Sequence, residues 1–142
     1  MLKRKFSLVF AIALVLGPGL ISGFSRTGAN IKGVKLGKAK GVAEEVDTFG
    51  AEDTIWVLTG VAEVAGPVNI KARLVVEDVP GQQNGPVPGL EATLNTSQEA
   101  RADFHFSPPN NGWPKGKYSI EVLLLGEDGS LIDKKAAEFS VE

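Results

Sequence analysis

Downstream of residue 54 the chain alternates apolar and polar residues at every second position, in runs of five to nine residues, the period of half-buried strands rather than helices. In residues 54–62, Ile55, Val57, Thr59 and Val61 share one face and Trp56, Leu58 and Ala62 the other. Two apolar faces predict a central strand covered, at least in part, on both sides. In residues 69–77, Ile70, Ala72, Leu74 and Val76 oppose Lys71, Arg73 and Val75, and the two cations mark the solvent face. Leu90, Ala92 and Leu94 define a strand over residues 90–95. Ala100, Ala102, Phe104 and Phe106 define one over residues 100–106, with Arg101, Asp103 and His105 outward. Tyr118, Ile120, Val122 and Leu124 alternate with Lys117, Ser119 and Glu121. Gly126-Glu127-Asp128-Gly129 then turns the chain into a return strand carrying Ala137, Phe139 and Val141. Upstream, Val34 and Leu36 among lysines predict a short edge strand over residues 34–40, because lysine on an edge discourages edge-to-edge pairing.

Between these runs lie turn signals. Residues 79–89 hold three prolines and three glycines, which predicts an irregular surface loop. About seven strands at short spacing, with no amphipathic helix after residue 25, predict an all-β protein. The expected fold is an Ig-like or fibronectin-III-like antiparallel β-sandwich over residues 34–142, behind a flexible lead-in at 26–33. Tyr118, at the start of the penultimate strand, sits where such sandwiches place a corner tyrosine that hydrogen-bonds backbone a few residues upstream.

The first 25 residues change the picture from a domain to an exported domain. Lys3-Arg4-Lys5 precedes an apolar run from Phe6 to Leu16 broken only by Ser7. Gly17-Pro18-Gly19 ends it, and Gly23-Phe24-Ser25 offers a cleavage site, the order of a signal peptide with its short helix. A retained anchor wants about 20 apolar residues. Phe6 to Ile21 falls short and contains Pro18, so cleavage is expected, with a periplasmic or extracellular location. Membrane contact would arise only through this segment if it were uncleaved. The remainder carries 12 cations against 17 acids, a net charge of −5. That balance disfavours a nucleic-acid surface. With no cysteine, core packing alone must hold the domain.

The run Phe104-His105-Phe106-Ser107-Pro108-Pro109, then Gly112-Trp113-Pro114-Lys115-Gly116-Lys117-Tyr118, then Phe139-Ser140-Val141 resembles the C-terminal half of Ig-like domains in exported bacterial and archaeal proteins. Those domains carry G-W-P-x-G-x-Y before a strand and end in F-x-V. The resemblance implies the sandwich, with Trp56, Phe104, Phe106, Tyr118 and Phe139 as structural residues, and supplies no catalytic chemistry. A weaker likeness is to the tail of a secreted-protease inhibitor family with a similar sandwich.

Candidate chemistry is sparse. His105 is the single histidine, and a catalytic base needs a nucleophile and an orienting partner. One histidine and no cysteine leave zinc without a ligand set, and Glu52-Asp53 and Glu127-Asp128 lack the spaced carboxylates of a calcium loop. No metal, cofactor or enzymatic activity is expected. Trp113 has two readings: an exposed ring that docks a sugar or a partner, or a ring folded over the open end of the sandwich. Unusual polar groups gather in loops, Gln82, Gln83 and Asn84 in one and Asn110 and Asn111 beside Trp113 in another. The expected function is a non-catalytic module that binds a protein or envelope component through these two loops. The alternative is an inhibitor of an exported protease that presents residues 79–89.

Overall fold

The structure is a computed structural model and describes residues 28–142; the expected signal peptide at 1–25 and the first two lead-in residues lie outside them. Eight strands follow in order: β1 (Asn30–Gly37), β2 (Thr48–Phe49), β3 (Ile55–Ala62), β4 (Val68–Asp78), β5 (Gly85–Thr96), β6 (Ala100–Phe106), β7 (Gly116–Gly126) and β8 (Leu131–Val141). They form a three-stranded sheet, β1-β3-β6, and a five-stranded sheet, β2-β8-β7-β4-β5. No helix occurs among the described residues.

The alternation places the core. Ile55, Val57 and Val61 of β3, with Phe104 and Phe106 of β6, meet Ile70, Ala72 and Leu74 of β4 and Ile120, Val122 and Leu124 of β7, and all are buried. Each large side chain so buried is worth about 1.5–3 kcal/mol of transfer free energy. Thr59 is the polar intruder on the inner face. Its hydroxyl donates to Gly33 O at 2.6 Å, which satisfies a carbonyl beside the bulge between Ile31 and Gly33 in β1. Across the same bulge, Ile31 N–H donates to the Asp133 carboxylate at 2.8 Å, tying the edge of one sheet to β8 of the other.

Several expectations are corrected. The first strand runs over residues 30–37 rather than 34–40, so the supposed lead-in from Asn30 to Gly33 is strand, paired with β3. The strand count rises to eight through β2, which pairs with β8 in parallel, Thr48 opposite Ser140 and Phe49 opposite Val141. Residues 79–89 are not one loop. Irregular chain ends at Asn84, and Gly85 to Gly89 begin β5, with Pro86 opposite Val75. The prolines survive there because β5 is an edge strand, whose outward N–H groups have no ladder partner to lose. β8 starts at Leu131, earlier than its alternation indicates. Asp133 and Lys135 interrupt the apolar period on its inner side, opposite Leu124 and Val122, at the margin of the sandwich. Trp56 is not core. It lies half-buried on the outer face of the three-stranded sheet, beside Gly37, which the segment of Val42 and Glu44 covers.

Tyr118 takes the corner position. Its hydroxyl donates to Pro114 O at 2.5 Å, its ring is 3% exposed, and burial pushes its pKa up, which keeps the hydroxyl a donor. Ile120, two residues on, is fully buried in the aliphatic core. Tyr118→Phe should destabilise the fold by about 1–2 kcal/mol, the scale for losing a buried hydrogen bond. An unchanged urea midpoint would show that the hydroxyl pins nothing.

Candidate functional site

The two sheets differ in breadth, and the difference opens one side of the molecule. β5 ends the five-stranded sheet and β6 ends the three-stranded sheet. On β4, Ile70 and Ala72 are fully buried; their β5 neighbours Leu94 and Ala92 point to the same face, yet Leu94 is 41% exposed. Cover therefore runs out at β5. At one end of this open side lies an apolar cleft of about 290 Å³. β4 contributes Leu74 and Val76, β5 contributes Val87, Pro88 and Leu90, and the segment before β7 contributes Pro109, Trp113 and Pro114. Tyr118 also lines it, and Gln82 comes from the turn after β4.

The turn segment is built by specific local contacts. Gly112 adopts φ +80°, which L side chains rarely take, and a Cβ there would come within 3.1 Å of Ala51 O. Trp113 N–H donates to Ala51 O at 2.8 Å and its indole Nε1–H donates to Asp53 O at 2.7 Å. Asp53 is itself fixed. Its carboxylate accepts Gly50 N–H at 2.7 Å and faces Lys38 Nζ at 3.3 Å, and that backbone hydrogen bond, then the lysine, holds its pKa below the usual aspartate value despite partial desolvation. Gly116 has φ +149°, and a Cβ there would sit 2.6 Å from Asp78 O, so the second glycine of the motif permits close approach of β7 to the chain leaving β4.

Trp113 is 4% exposed, so of its two readings the structure gives the ring folded over the open end of the sandwich. Gln82, Gln83 and Asn84 are exposed, as are Asn110 and Asn111. Gln82 and Trp113, far apart in sequence, line the same cleft, whereas Gln83, Asn84, Asn110 and Asn111 do not line it. The apolar liners Val87, Pro88, Leu90 and Pro109 were missed by sequence reasoning. Alternation places Leu90 on a strand, but nothing local indicates that the facing layer stops short of it. A more open groove of about 430 Å³ crosses β7 and β8, lined by Asp47, Thr48, Glu77, Lys117 and Glu138 among others. Its charged groups are already solvated, so the gain from excluding water lies in the apolar cleft. Among the described residues, no group of three or more His, Cys, Asp or Glu is placed to hold a metal ion.

Fold and site together define a two-sheet β-sandwich with an apolar cleft at an open side. Among solved structures the chain is similar to a Niemann-Pick type C2 protein from Japanese carpenter ant, with a TM-score of 0.51 and 16% identity, covering 80% of this chain and 92% of that one. It is also similar to a β-glucosidase from Listeria innocua, solved in complex with glucose, with a TM-score of 0.50 and 16% identity over 80% of this chain; the match spans 16% of that enzyme's length. At such identities the likeness is one of fold. No family model matches the sequence, and no curated protein matches it either.

Proposed function

We propose that the protein is an exported, non-catalytic binding module with an Ig-like or fibronectin-III-like sandwich, which takes an apolar anchor of a protein or envelope component into the cleft beside β5. The observation that carries this reading is the cleft itself. Its volume of about 290 Å³ lies at the floor of the roughly 300–1,000 Å³ range of small-molecule pockets. That size suits one or two apolar side chains of a partner. Interfaces gain most from such anchors when a polar rim surrounds them, and exposed Gln82, Gln83, Asn84, Asn110 and Asn111 near the ends of the same segments supply amides for a rim. The Ig-like assignment is supported by the three-on-five strand order and the corner tyrosine, and export by the charge and hydropathy order of residues 1–25.

The test is affinity capture from envelope extract with matched variants. A partner retained by the wild type should be lost with Leu90→Asp and weakened when Gln82, Gln83 and Asn84 are all changed to Ser, with thermal stability unchanged by the triple change. Retention in those variants, with loss instead in Lys71→Glu/Arg73→Glu, would place the site on the five-stranded sheet. A second reading, inhibition of an exported protease through residues 79–89, is favoured by exposed Pro86 and Pro88, which stiffen the segment and reduce the entropy lost on binding. Absence of inhibition across a protease panel at micromolar concentration would end it.

A further inference from the structure

The outer face of β1-β3-β6 plays no part in the cleft. Its residues fall into three rows across the strands: Gly37, Trp56 and His105; Lys35, Leu58 and Asp103; Gly33, Gly60 and Arg101. Trp56 and His105 stack with ring centroids 4.7 Å apart and planes at 34°. Beside the aromatic pair, Gly37 is buried under Val42 and the Glu44 carbonyl; the uncrowded part of the face lies two rows away, where a Cβ on Gly33 would meet nothing within 4 Å. Lys32, Lys35 and Arg101 are exposed around this surface, with Asp103 the one acid in the three rows.

This face carries three cations and one acid, on a chain that is acidic overall. On the five-stranded sheet, Lys71 pairs with Glu91 at 2.7 Å, Arg73 with Glu121 at 2.8 Å and Lys134 with Glu121 at 3.8 Å. Among the described residues, no ion pair involves Lys32, Lys35 or Arg101. A chain with a net charge of −5 after residue 25 thus presents a locally positive surface beside an aromatic pair. An indole face offers apolar area for the C–H face of a sugar ring, a guanidinium matches a carboxylate in a planar fork, and an ammonium adds a point charge. We infer that this face is a second binding site and that its ligand is a uronic-acid polysaccharide, with a sugar ring on Trp56 and its neighbours' carboxylates at Arg101 and Lys35. Nucleic acid, the other polyanion with stackable rings, fits less well, because its affinity rests on many phosphate contacts and this face offers three cations.

Native gel electrophoresis of the purified protein in gels containing polygalacturonate tests the site, with dextran, poly-L-glutamate and a single-stranded oligonucleotide as comparators. Polygalacturonate should retard the protein more than any comparator, and should perturb the emission of Trp56 while Trp113 stays buried. Trp56→Ala and Arg101→Glu should each weaken retardation by about tenfold or more. Retardation should also fall as salt approaches 1 M, where the Debye length is about 3 Å. Leu90→Asp should leave it unchanged, which separates this site from the cleft. If Trp56→Ala proves unfolded by thermal melting, Arg101→Glu and His105→Ala carry the test. No retardation by polygalacturonate overturns the inference. So does equal retardation by poly-L-glutamate, which would show charge alone, or by dextran, which would show stacking alone, or stronger binding of the oligonucleotide.

Discussion

Phe139→Ala is expected to lower the free energy of unfolding by about 3–5 kcal/mol. Phe139 is 4% exposed on β8 and joins three strands through its ring. It lies parallel to Tyr118 of β7, with centroids 5.3 Å apart and planes at 9°, and edge-on to Phe49 of β2, also at 5.3 Å, with planes at 77°. Alanine would forfeit the transfer free energy of the ring, leave a cavity and remove both aromatic pairs, each worth roughly 0.5–1.5 kcal/mol beyond area. The damage should be greatest at β2. That strand is two residues long, and its parallel pairing includes Ser140 N–H to Asp47 O and Glu142 N–H to Phe49 O, at 2.9 and 3.0 Å. Urea unfolding should show a lower midpoint with an unchanged slope, and hydrogen exchange should show faster exchange at Ser140 and Glu142. A loss below about 1 kcal/mol, against the usual range for such truncations, would mean that β8 is in another register.

Trp113→Ala should cost a comparable amount, about 3–5 kcal/mol, for a different reason. The indole closes the end of the sandwich, lines the cleft and donates to Asp53 O at 2.7 Å. Trp113→Phe separates the contributions. It keeps most of the ring but removes the donor, and should cost about 1–3 kcal/mol, the scale for stranding a buried acceptor; partial access of water to the Asp53 carbonyl would put the value at the lower end. Because the two tryptophans occupy different environments, the blue-shifted emission of buried Trp113 should vanish in either variant and leave the signal of half-buried Trp56. A change below about 1 kcal/mol for alanine, well under the range for a buried aromatic, would return Trp113 to the surface reading.

Much of the fold was legible because alternation is a property of neighbouring residues. Ile55 through Val61, Ile70 through Val76 and Tyr118 through Leu124 each announce a strand and its inner face without reference to any other segment. In Gly112-Trp113-Pro114-Lys115-Gly116-Lys117-Tyr118 only the Tyr118 hydroxyl finds its partner locally, at Pro114 O; the indole reaches Asp53 O, and the two glycines make room for Ala51 and Asp78. The prolines of residues 79–89 misled for the complementary reason. Proline forbids a ladder only where its missing N–H would be needed, and whether a strand is central or at an edge depends on which other strands arrive beside it. Likewise β2 could not be read locally, since two residues carry no period and its parallel partner lies some ninety positions away.

What the sequence determined alone is therefore the long central strands, the faces they bury and the corner that Tyr118 ties. What only the tertiary structure decided is breadth and juxtaposition. Three strands facing five leave Leu90 and Leu94 partly uncovered, Gln82 and Trp113 meet across a cleft, and the register of β3 against β6 sets Trp56 on His105. Periodicity encodes which side of a strand avoids water. It carries no information about where the opposing layer ends, because that edge is set by pairings between residues distant in sequence.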